Sequence, residues 1–169
     1  MEFKELRDEM EQNGETIQKL FAGVTPEQAR RKPAPAAWSM LEVVCHLYDE
    51  EREDFRQRLE IMLSGSGQAW PPINPVGWVT ERKYIEQDFD AMLGKWVAER
   101  TKSLAWLDSL ANPDWSALTT SPFGSMRAGD MLAAWVRHDI LHMRQLVELK
   151  HMRVLELSNP YDGAYAGDW

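Results

Sequence analysis

Cysteine is nearly missing from this sequence. Cys45 stands alone, so no disulfide can form within the chain, and a reducing, cytoplasmic compartment is the expected location. Long apolar runs are missing too. The longest, Met131 to Val136, falls far short of the ~20 residues a membrane span needs. The opening MEFKELRDEM is charged throughout and lacks the apolar stretch of a signal peptide, so no membrane partner is expected. Positive charge is in short supply, with 19 Lys+Arg against 27 Asp+Glu and a net charge of −8. A nucleic-acid binder needs a basic footprint, so that class is excluded. No internal repeat, low-complexity segment or convincing strand pattern stands out.

What is present is a length of 169 residues with 44% apolar side chains, enough for one domain that folds without a disulfide or metal staple. Four stretches carry helical periodicity: about Phe3 to Phe21, Ser39 to Leu63, Ile85 to Leu110 and Arg127 to Lys150. Gly14 weakens the first. Thr25-Pro26-Glu27-Gln28 and Ser39 with Glu42 have the hydroxyl and the acid or amide of a capping box. Residues 64–84 read as a long loop, holding Trp70 and Trp78 as candidate pocket walls; 115–125 read as a turn-rich link, and the tail as irregular. Four amphipathic helices without strands predict an all-α four-helix bundle, with either up-down-up-down or crossover topology.

Of the four histidines, His138 and His142 stand four apart, about 40° apart on one helical face, a spacing that lets two imidazoles reach one metal ion. On helical wheels both lie at the border of the fourth helix's apolar arc, and His46 lies at the border of the second's. Three neutral imidazoles facing a cleft leave a coordination position open, as a catalytic metal requires. Cys45 points about 100° from His46 and reads as packing. His151 falls on a charged face and reads as solvated. The plainer alternative is histidines that merely pack.

Three charges sit where a core should be. Glu51, Arg100 and Asp139 each fall near the middle of an apolar arc. Unpaired, each would cost several kcal/mol, so the wheels predict one interior network with Arg100 bridging the two acids and Arg58 as a further member. That network would orient the helices or hydrogen-bond the metal ligands. Glu50, one turn from His46, is a candidate catalytic general base or an extra ligand.

Trp38-Ser39 opening a helix, His46-Leu47-Tyr48-Asp49-Glu50-Glu51, Phe123-Gly124 and His138-Asp139-Ile140-Leu141-His142 together resemble, in order, the motifs of the DinB-like superfamily. Arg100 sits where such proteins tend to carry an arginine. The resemblance covers about residues 1–152, leaving 153–169 as a tail. It implies a four-helix bundle holding a divalent metal, zinc or nickel first, through His46, His138 and His142. It also implies a small-molecule substrate, a homodimer, and either transfer of a low-molecular-weight thiol to an electrophile or hydrolysis. A metal-binding or protein-interaction module without turnover is the alternative from another class.

Overall fold

The computed structural model describes residues 3–121 and 124–167. Helix α1 spans Phe3–Phe21 and is followed by a single turn, α2, Pro26–Ala29. Thr25 caps α2 through the expected box with Gln28, and Pro26 loses nothing at a position whose N–H has no helical partner. The second long helix comprises α3, Met40–Glu50, a π turn, Glu51–Phe55, and α4, Arg56–Ser64. It starts on a reciprocal box in which the Ser39 hydroxyl accepts from the Glu42 N–H and the Glu42 carboxylate accepts from the Ser39 N–H. Gly65 ends it at φ 61°, a left-handed conformation that a side chain disfavours.

The segment expected to be all loop contains a helix, α5, Pro75–Glu81, and a 3-10 turn, Tyr84–Glu86. Pro75 and Gly77 read as breakers, yet the proline occupies the first turn and the Asn74 side chain accepts from the Gly77 N–H at 3.1 Å. Helix α6, Phe89–Ser109, begins later than Ile85 because Asp88 caps it by accepting from the Ala91 N–H. Two four-residue strands then pair antiparallel, β1, Leu118–Ser121, and β2, Gly124–Arg127. Sequences as short and polar as LTTS and GSMR carry no alternating pattern to betray them, so the link expected to be turn-rich also holds a short hairpin. Phe123 lies outside the described residues. Helix α7 runs from Ala128 to Ser158, past both Lys150 and the expected 152/153 boundary.

The long helices form a bundle in which α1 packs against α6 and α7, and α3 with α4 packs against the same two. Helices consecutive in sequence, first with second and third with fourth, therefore stand diagonally. Two apolar clusters give the directions. One gathers the end of α1 (Ile17, Phe21), the start of α3 (Leu41, Val44), the start of α6 (Phe89, Met92) and Leu146 of α7. The other gathers Met10 of α1, Leu59 and Met62 of α4, Leu107 of α6 and Met131 and Leu132 of α7. The order is up-down-down-up, and the link from 65 to 88 is long because it returns along the length of the bundle. No helix among the described residues is long and apolar enough to cross a membrane.

Candidate metal centre

Between the two clusters lies the charged layer. The Arg100 guanidinium donates to both Glu51 oxygens at 2.9 Å and to both Asp139 oxygens at 2.8 Å, and its Nη1 also reaches the Met10 carbonyl. The indole of Trp135 donates to Glu51 at 3.2 Å. All three charged residues are buried. Burial pulls the Arg100 pKa down, but the two carboxylates outweigh it and hold the guanidinium firmly charged. Gly14 of α1 lies against the Arg100 stem, where a Cβ would stand 3.4 Å from Arg100 Cγ, at ordinary contact distance. Arg58 does not join this network. The π turn lies between it and Glu51, and a wider turn rotates everything beyond it. Arg58 instead pairs with Asp54 at 2.8 Å and lies over the Trp70 ring.

One turn toward the α3 start, His46, His138 and His142 come together. The Nε2 atoms of His46 and His138 are 3.3 Å apart, and those of His138 and His142 are 3.1 Å apart. The three possible ligand atoms all lie within 4.8 Å of one another. Two nitrogens about 2.0–2.1 Å from a tetrahedral zinc ion stand roughly 3.3 Å apart, so the His46–His138 and His138–His142 spacings match those around such an ion. His142 Nδ1 faces the Gln145 side-chain oxygen at 2.9 Å, which places the ring proton on Nδ1 and leaves Nε2 as a lone pair aimed at the other rings.

The surroundings favour neutral rings. Burial, with His142 as a neighbour, depresses His46 to about 3; burial and both neighbouring histidines depress His138 to about 2. His142 is lowered by burial against the raising effect of Gln145. Neutral imidazole is the form that binds metal. Trp38 covers the group, 4.9 Å from the His46 ring and stacked parallel to that of His142 at 6.5 Å, and Phe55 borders His138 at 5.0 Å.

Glu50 is buried, and its carboxylate is not part of the three-histidine group, so the extra-ligand expectation is corrected. On the helix it follows His46 by one turn, but its carboxyl turns to Asp54. Burial and the Asp54 carboxylate push it up to about 8. Asp54 is raised as well, by burial, and the pair shares a proton beside Arg58. The two tryptophans part company. Trp70 lines a cavity, whereas Trp78 is buried in the apolar core with Arg82 over its ring at 4.0 Å, and so is no wall of that cavity. Cys45 is buried, its thiol pushed up to about 12 by burial, and inert. His151 is half-buried and outside the trio. Wheels missed Gln145 and the covering role of Trp38; an amide three residues beyond a candidate ligand, on the same helical face, was the available signal.

The model of the DinB superfamily matches residues 9–146. Among solved structures, the chain is similar to YfiT from Bacillus subtilis, described as a probable metal-dependent hydrolase with an unusual four-helix bundle topology. The TM-score is 0.77 at 17% identity, covering 88% of this chain and 86% of that one. None of the curated proteins matches this sequence.

Proposed function

From the premise that this chain belongs to the DinB superfamily, we propose that it is a divalent-metal-dependent hydrolase acting on a small molecule. The observation that carries this reading is the convergence of three buried or half-buried imidazole nitrogens, two pairs of them 3.1 and 3.3 Å apart, with no fourth ligand in the group among the described residues. A structural site closes its tetrahedron with protein; a catalytic one leaves a position free. The YfiT description supports hydrolysis over other chemistries.

When bound, the ion supplies Lewis acidity, activating water near neutral pH and polarising the substrate. The residues do the rest. His46, His138 and His142 hold the ion, and burial keeps them from protonating. Gln145 holds His142 in the tautomer that presents Nε2. Trp38 and Phe55 exclude water on two sides. Glu50, one helical turn beyond His46 and pushed up to about 8 by burial and Asp54, holds a proton at neutral pH and is the candidate to give it to the leaving group. A low-molecular-weight thiol would compete for the same open position, so thiol transfer is distinguished by requiring added thiol.

The test is elemental analysis of protein purified without added metal, alongside His142→Ala, followed by a panel of p-nitrophenyl esters with and without chelator and thiol. About one divalent ion per chain, lost in the variant, with chelator-sensitive hydrolysis is expected. Equal metal in both proteins overturns the ligand set. Metal without turnover in either assay favours a binding module.

A further inference from the structure

We infer that a second site, away from the histidines, binds an uncharged, largely apolar small molecule. A cavity of about 910 Å³ opens between the end of α4, the start of the crossover and β1, within the size range of small-molecule pockets. Three separate chain segments build it: Arg58 and Met62, Trp70 and Pro72, and Leu118 and Thr120. None of the three histidines lines it. Its walls are mostly apolar, Met62, Trp70, Pro72, Ile73 and Leu118 among them, and Leu118 is exposed at its rim.

Charge decides the class of ligand. Among the described residues lining the cavity, Arg58 is the only ionisable one. Its charge is already met by Asp54 at 2.8 Å, and its guanidinium is pinned over the Trp70 ring at 4.8 Å. An anion would find this cation taken and would approach a chain of net charge −8. A cation would find no lining carboxylate. Desolvating either without a partner is costly, whereas a neutral ligand gives up little on entry and covers apolar wall, with Gln68, Thr119 and Thr120 available for hydrogen bonds. The inference does not depend on the metal reading.

A matched pair of fluorescent probes tests it: neutral N-phenyl-1-naphthylamine and its anionic sulfonate, 8-anilino-1-naphthalenesulfonate, titrated into the full chain in chelator. One neutral probe per chain is expected, with the sulfonate at least tenfold weaker. Leu118→Arg and Ala69→Trp, both at exposed positions, should each weaken the neutral probe at least tenfold without moving the melting temperature. Leu155→Arg, on the exposed apolar face of α7, should leave it unchanged. The inference is overturned by no saturable binding, by equal affinity for the two probes, by indifference to both cavity variants, or by loss of binding only in Leu155→Arg.

Discussion

At the scale of single residues, the candidate metal centre is a set of rings whose protonation and orientation follow from what they touch. Gln145 is the sharpest case, because its carboxamide oxygen selects which nitrogen of His142 carries the proton. Partners of metal-ligating histidines are typically worth 10- to 100-fold in affinity. Gln145→Leu should therefore weaken zinc binding by about that factor in a competition titration with a chromophoric chelator, while Gln145→Glu, which keeps an acceptor, should restore it. Titration supplies a second expectation. His46 and His138 have folded values below the usual 6.5, so the unfolded chain binds more protons and metal-free protein loses stability as pH falls from 6.5 toward 3. By pH 5 the loss is roughly 2 kcal/mol for each of the two. Glu50 works in the opposite sense. Raised from 4.5 to about 8, its folded form holds a proton that the unfolded form has shed, so its contribution is lost as pH rises from 4.5 through 8. Below 6.5 two rings outweigh one carboxyl, so melting temperatures of chelator-treated protein should peak near pH 6.5, and Glu50→Gln should flatten the decline above it.

At the scale of elements, the helices are joined by a salt-bridged layer as much as by grease. Arg100 of α6 reaches the π turn, α7 and a carbonyl of α1. Arg100→Met would leave Glu51 and Asp139 as unpaired buried acids, and removing one partner of such a set costs about 3–5 kcal/mol. Urea unfolding should report that loss; a change under 1 kcal/mol would mean that water reaches the acids. This layer was legible because charge in the middle of an apolar arc has few physical explanations. The capping boxes at Thr25 and Ser39 were legible for a similar reason, each being a local pattern with one geometric meaning. The misses were of a different kind. A π turn costs one residue of register and has no composition of its own, so Arg58 was assigned to the wrong face. Helix α5 was hidden because Pro75 and Gly77 look like breakers until Asn74 is recognised as the cap. Strands of four polar residues have no period to detect. Trp78 looked available because it lay in an apparent loop, and it is buried because that stretch is helical and packs on α3.

At the scale of the whole molecule, the diagonal placement of the first long helix with the second, and of the third with the fourth, leaves no close pair of long helices joined by a short link. α1 must wait for α6 and α7, and α4 ends far from where α6 begins, which the crossover bridges. A chain stopped at residue 110 would retain α1, α3, α4 and α6 but expose the faces of α1 and α4 that α7 covers. It should show weak helical circular dichroism, no cooperative melt and no zinc binding, whereas a sharp melt would mean that three helices suffice. Translation meets this arrangement in order. When Ser109 leaves the ribosome, Glu51 and Arg100 can already pair, but Asp139, His138 and His142 are still unmade. Until the last helix is delivered the nascent polypeptide presents a bare groove and a lone imidazole, so the three-ring cluster comes together only in a finished molecule.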